Sequence, residues 1–268
     1  MGLFDEAAEN YLRVLDRRET STHAIASYGL GVALLAIAQR DLQDGKAGAA
    51  FDHVRKAIQS CSSVTHQYGC ISKLLGDLHS FGAALPPGVF QNEAAEEGNS
   101  SGEDLLLRAK LQFIALGEDA YRSAVDLQPK MGDDDIALAR ACFICDIGAN
   151  ILLQGVCLSE ILGSAEGSDF ACVSHIPDVA DCYSRAAQEF RNAIEVAPLH
   201  APAWCGLGCA VATSDPLLSQ HAFCRCLELD KMFADSYANL GLLYVSNGSL
   251  AASETVMDSL TQVRKIYP

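Results

Sequence analysis

The chain has 268 residues, half of them hydrophobic, and a formal net charge of −15 from 34 acidic and 19 basic residues. That balance argues against direct nucleic-acid binding, because Arg13, Arg17 and Arg18, and the pair Arg264 and Lys265, are too short as cationic clusters to displace phosphate counterions. An odd count of 11 cysteines, mostly inside apolar helical patterns, argues for reduced thiols in a cytosolic or nuclear protein, and no unbroken apolar run is long enough to cross a membrane.

Phe4, Ala7, Tyr11 and Val14 recur at helical spacing and predict a first amphipathic helix, within an acidic segment unlike a signal peptide. Gly29-Leu-Gly31 with Leu34 predicts the next helix. Ala50, Val54 and Ala57 predict its partner, with room for extra helical turns in between. Leu75-Gly76 with His79 opens another pair, which Tyr121 and Ala124 close before Pro129. The stretch 86–104 starts with helix breakers and is acidic and Gly/Ser-rich, so a disordered loop is expected there. Ile144, Ile147-Gly148 and Ile151 open a pair that Ala186, Phe190 and Ala193 close. Pro198 then stops the helix. The segment 155–181 exceeds a tight turn, and 163–168 reads as loop. No alternating Val/Ile/Thr segment argues for a sheet.

The sharpest signal comes last. Trp204-x-x-Leu207-Gly208-x-x-Val211 recurs 33 residues later as Tyr237-x-x-Leu240-Gly241-x-x-Tyr244. Residues three and four apart share a helix face, so each set forms one apolar stripe. Gly208 and Gly241 mark where a partner helix crosses. Glycine inside a helix costs about 1 kcal/mol relative to alanine, a penalty that close packing must outweigh. Ser219-x-x-x-Phe223-x-x-Cys226 and Ser253-x-x-x-Met257-x-x-Leu260 supply the second helices, with a small residue to admit a neighbour and a large one to fill the hole. This pattern at this period resembles the tetratricopeptide repeat. The resemblance implies an all-α solenoid of antiparallel helix pairs: residues 1–268 would form a single solenoid of about five pairs after a leading odd helix. Its use would be docking other proteins rather than chemistry. Opening on a second helix without its partner and ending without a solvating cap, the chain reads as an internal fragment.

Candidate chemistry is thin. Cys142-x-x-Cys145 lacks a second pair at zinc-site spacing, and Cys205, Cys209, Cys224 and Cys226 fit small core positions. His53, His66 and His79 fall on different helices. Asp133-Asp134-Asp135 lacks the Gly and Glu of a calcium loop and stands where carboxylates cap a helix start. No phosphate-binding, nucleophile-elbow or zinc-protease motif is present. No catalytic, cofactor-binding or metal-ligating residue is expected, and the partner-binding residues are unassigned.

The irregular parts narrow the resemblance. Leu42-Gln-Asp-Gly-Lys-Ala47, Lys73-Leu-Leu-Gly-Asp77, Ala120-Tyr-Arg-Ser-Ala-Val-Asp-Leu127 and Cys145-Asp-Ile-Gly148 go beyond the generic repeat. So do Ala203-Trp-Cys-Gly-Leu-Gly208, Ser219-Gln-His-Ala-Phe223 and Ala238-Asn-Leu-Gly-Leu-Leu-Tyr244. Together they resemble the middle of the large tetratricopeptide-repeat subunits of the Superkiller (Ski) complex. That resemblance implies a non-catalytic scaffold, holding a DExH-box RNA helicase and a WD-repeat protein, in an assembly that feeds RNA to the cytoplasmic exosome for 3′-to-5′ decay. Two alternatives stand beside it. One is a co-chaperone-type clamp for an acidic peptide tail, which needs cations on the first helices. Asn239 is present, but the region around Trp204 offers none. The other is a substrate-recruiting repeat region of an enzyme whose catalytic domain lies outside the chain.

Overall fold

The computed structural model describes residues 2–16, 23–62, 64, 68–90, 102–128, 134–164 and 178–249, with 254, 256–258 and 261. The described residues are all-α. The helices are α1 Leu3–Leu15, α2 His23–Gln43, α3 Ala47–Ser62, α4 Gly69–Ala84, α5 Gly102–Asp126, α6 Asp134–Ser164, α7 Val179–Val196, α8 Ala201–Val211, α9 Pro216–Leu229 and α10 Ala234–Ser246. The chain divides into two compact units, Met1–Pro129 and Lys130–Pro268. Within the first, α1 to α5 each pack on the next in sequence; within the second, α6 to α10 do the same. The pairs read from sequence, α2 with α3, α4 with α5, α6 with α7 and α8 with α9, therefore form.

Helix boundaries follow local chemistry. Asp178 and Asp215 cap α7 and α9 by accepting from Ala180 N at 3.3 Å and Leu218 N at 3.0 Å. Pro198 lies just beyond α7, whose C-cap is Ala197. The motif Leu42 to Ala47 is the turn ending α2. There Gly45 adopts φ 77° and Lys46 N donates to Asp41 O at 2.7 Å, a left-handed cap that glycine adopts without a Cβ penalty. Asp135 stands in the first turn of α6, where a carboxylate favours the helix dipole.

What locks one helix to the next is a glycine facing a ring. A Cβ at Gly208 would stand 2.6 Å from the Phe223 ring of α9, and one at Gly148 would stand 3.0 Å from Phe190 of α7. Gly76 meets the Tyr121 ring of α5 in the same way. A second kind of contact ties the pairs α2–α3 and α8–α9 to the helix before them. Gly206 faces Phe190, and Gly29 faces Tyr11, so Gly29-Leu-Gly31 and Gly206-Leu-Gly208 use the same position alike. Phe190 is pinned on both sides and is 1% exposed. Ser219 shows why the second helix opens with a small residue: its hydroxyl donates to Gly208 O at 2.8 Å, deep in the interface.

Three expectations change. Apart from these, Gly31 meets Cys61 of α3 and Leu74 of α4, each 2.8 Å from where its Cβ would be. The physical reason is the length of α2, which runs on to Gln43, so α3 must travel further back before it lies opposite Gly31. Residues 155–164, assigned to an over-long connection, continue α6 as far as Ser164. The loop expected over 86–104 is ordered at its edges. Pro87–Phe90 forms one 3-10 turn and α5 starts at Gly102, while 91–101 lie outside the described residues. Finally, α6 contains one span, Asp135–Ser159, long and apolar enough to cross a membrane by length and composition. The search for an unbroken run missed it because Arg140 and Asp146 interrupt the sequence without offsetting its average. Ala141, Ile144, Ile147 and Ile151 of this helix are buried within the second unit.

Phe90 belongs to an aromatic cluster, with ring centroids 4.9 Å from Phe51 and 5.5 Å from Phe113, and it is fully buried. Phe90→Ala is therefore expected to destabilise the chain by about 3–5 kcal/mol in urea denaturation. Shortening 91–101, in contrast, should change stability little, because closure entropy depends weakly on loop length. Equal effects of the two changes would show that Phe90 is not part of the core.

Candidate docking surfaces

Most of the residues that set this sequence apart turn out to hold helices together. Lys73 donates to both Asp77 carboxylate oxygens at 2.8 and 2.9 Å, and Tyr121 Oη donates to Asp77 Oδ1 at 2.9 Å. The segments 73–77 and 120–127 thus meet as one cluster across α4 and α5. Gln220 Nε2 donates to Tyr244 Oη at 3.0 Å, and His221 stands edge-on to Trp204 at 6.2 Å. Trp204 itself is half-buried and anchors the preceding turn through its indole N–H to Pro198 O at 2.9 Å. Leu207 and Leu240 are each 4% exposed.

On the first-helix side of the second unit, Asn239 lies beside the thiols of α8. Its amide donates to Cys209 Sγ at 3.3 Å and more distantly to Cys205 Sγ at 3.9 Å. Neither α8 nor α10 carries a Lys or Arg. The amide that a carboxylate clamp would use is thus turned to sulfur. Leu242 and Val245 on α10 are exposed and unpolarised by any charged neighbour on that helix after Asp235.

The cysteines fit core packing. Burial pushes the Cys61 thiol up to about 12, and Cys145, buried beside Asp146, likewise to about 12. Cys142 is half-buried, and no group of three or more His, Cys, Asp or Glu among the described residues has a metal-holding arrangement. His53 Nδ1 lies 3.2 Å from the Asp41 carboxylate. His66, Asp133, Arg17, Arg18, Arg264 and Lys265 fall outside the described residues. So does the second helix expected over 253–260, apart from single positions that include the exposed Met257.

The first unit holds a half-open cleft of about 510 Å³ that sequence reasoning did not find. Its floor is Ser72, Leu75 and His79 of α4, one wall is the stripe from Leu116 to Leu127 on α5, and Ser62 closes it at the end of α3. His79 is 8% exposed, packs edge-on to Phe113 at 5.2 Å, and its Nδ1 has no hydrogen-bond partner. The sequence signal for the cleft was faint: serines and aspartates at helical spacing read as an ordinary solvated face.

Burial holds the His79 pKa down from 6.5 to about 4, so the ring is neutral at pH 7. The unfolded ring takes up a proton below about 6.5 and the folded ring only below about 4, so stability present at neutral pH is lost as pH falls through that window. His79→Leu removes this contribution. Between pH 7 and pH 4 the stability of the variant relative to the parent is expected to rise by about 3 kcal/mol. Parallel stability curves over that range would contradict a buried neutral imidazole.

Comparison with known proteins adds the following. No family model matches the chain. Tetratricopeptide repeat protein 37 of Xenopus laevis is 24% identical over 273 residues, covering 100% of this chain and 16% of that protein; the chain therefore spans only a small part of its relative's length. Among solved structures, YrrB, described as a TPR protein with an unusual peptide-binding site, aligns over 97% of this chain and 95% of its own. Its sequence identity is 12% and its TM-score 0.38. The TPR2AB domain of yeast Sti1 in complex with an Hsp90 peptide covers 98% of this chain and 85% of its own, at 14% identity and TM-score 0.32. The chain is thus similar along its whole length to tetratricopeptide repeat protein 37.

Proposed function

We propose that the chain is a non-catalytic scaffold for protein–protein interaction. On this reading it serves as the corresponding part of a large Ski-complex subunit, supporting exosome-mediated 3′-to-5′ RNA decay in the cytoplasm. The observation that carries the reading is the full-length similarity to tetratricopeptide repeat protein 37, on a chain whose distinguishing residues build a helix stack. The partners on this reading are a DExH-box RNA helicase and a WD-repeat protein, with no direct nucleic acid and no membrane. Docking would use exposed apolar positions such as Leu242 and Val245 and the open helix ends. The sulfur-bonded Asn239 and the absence of Lys or Arg on α8 and α10 weigh against the acidic-tail clamp.

Affinity capture with the 268-residue chain from cell lysate, read by mass spectrometry, is expected to recover the helicase and the WD-repeat protein together. Recovery of chaperones alone would contradict the reading and favour the clamp.

A further inference from the structure

The cleft of the first unit has its own chemistry. Leu116, Asp119, Ala120, Ser123, Asp126 and Leu127 recur at three- and four-residue steps, so α5 presents them as one stripe. Asp119 and Asp126 stand two helical turns apart, about 10 Å along the axis. Neither has an ion-pair or side-chain hydrogen-bond partner among the described residues. The acids beside them are matched: Glu118 bonds Arg122 at 2.8 Å, and Asp77 bonds Lys73 and Tyr121. Between the two carboxylates lie Leu75 and Ala120, and at the rims Leu116 and Leu127 are 44% and 45% exposed. In the floor sits His79, more than nine-tenths buried and without a hydrogen-bond partner among the described residues; its Nδ1 is sealed inside the protein, so Nε2 is the ring nitrogen left with any exposure.

We propose that this cleft docks an extended basic segment of a partner protein, with two cationic side chains about three residues apart and an apolar side chain between them. The spacing follows from an extended polyproline II segment, whose three residues per turn and rise of about 3.1 Å per residue bring every third side chain back to the same face over roughly the distance between Asp119 and Asp126. The intervening apolar side chain lies over Leu75 and Ala120. The uncharged His79 ring exchanges a hydrogen bond with the segment through Nε2, the nitrogen that is not sealed, and does not repel its cations. An anionic ligand is disfavoured by the two unmatched carboxylates. The proposal rests on the docking reading above and assigns it one surface and one partner chemistry.

The test uses the 268-residue chain and a fluorescein-labelled peptide, Gly-Ser-Lys-Leu-Ser-Lys-Leu-Ser-Gly, with a matched peptide bearing Glu for Lys, read by fluorescence anisotropy at 0.15 M salt. The Lys peptide is expected to bind and the Glu peptide not. Asp119→Asn with Asp126→Asn is expected to weaken binding about tenfold, the loss of a close charge pairing. Leu127→Ser, at an exposed position that leaves the fold intact, is expected to weaken it about threefold. Asp52→Asn with Asp181→Asn, which removes the same charge elsewhere, is expected to leave affinity unchanged. An equal loss in both double variants would reduce the effect to the general attraction of an acidic chain and overturn the proposal. So would no loss in the cleft variant, or no binding of the Lys peptide. If the cleft variant still captures the helicase and WD-repeat protein as the parent does, the cleft assignment falls and the scaffold reading stands. If the parent captures neither yet binds the peptide as described, the reverse holds.

Discussion

Leu207→Asp leaves the second unit largely unfolded at 25 °C. Leu207 is 4% exposed and shares its stripe of α8 with the buried Ala203 and Val211. Among α8, α9 and α10 the one Lys or Arg is Arg225, which is already bonded to Glu228 at 2.8 Å. An unpaired charge or its neutralised, unbonded form costs several kcal/mol in such a place. Domains have about 5–15 kcal/mol in all, and adjacent repeats share that stability because each buries the face of its neighbour. Leu240→Asp, also 4% exposed, is expected to act alike on α9 and α10. Circular dichroism against temperature checks both; melting curves that coincide with the parent's would show that these stripes are not the packed faces.

Gly206→Ala is expected to destabilise the chain by about 1–3 kcal/mol, the range for forced overpacking. The sign is what makes the substitution informative. On a free helix the same change stabilises by about 1 kcal/mol, because alanine loses less backbone entropy. Here the added methyl falls on the Phe190 ring, and that ring has no room to retreat because Gly148 of α6 holds its other side. Urea denaturation decides between the two effects. A raised midpoint would mean that helix propensity wins and that the ring can move aside.

Much of this architecture was legible because repeat packing writes itself into side-chain size. A glycine within the apolar stripe of a first helix, and a Phe or Tyr at the matching place on the next helix, are demands of close approach, and they recur wherever the approach recurs. Phe190 against Gly148 and Tyr121 against Gly76 were readable for that reason. Where a helix lengthens, the glycine finds another partner, as at Gly31 of the long α2, which meets Cys61 and Leu74 rather than a ring. Phe90 went unread because it follows two prolines and a glycine in a stretch of loop composition; only the neighbouring rings of Phe51 and Phe113 give it a place. The cleft was illegible for a different reason. Its Asp119, Ser123 and Asp126 are the residues any solvated helix face carries, and only the path of α3 past α4 and α5 makes a concavity of them. Gln220, distinctive in sequence, bonds Tyr244, and its neighbour His221 stands edge-on to Trp204. Sequence distinctiveness in this chain therefore tracks interfaces between its own helices more than surfaces offered to partners.

The most direct test of the stack is a double-mutant cycle on Gly206 and Phe190, with stability measured for the parent, Gly206→Ala, Phe190→Leu and the pair. If the glycine is there to admit the ring, Gly206→Ala becomes neutral or stabilising once the ring is a leucine, and the two changes are coupled by more than about 1 kcal/mol. Additive losses, within about 0.5 kcal/mol, would contradict the glycine–ring contact as the device that joins one helix pair to the next.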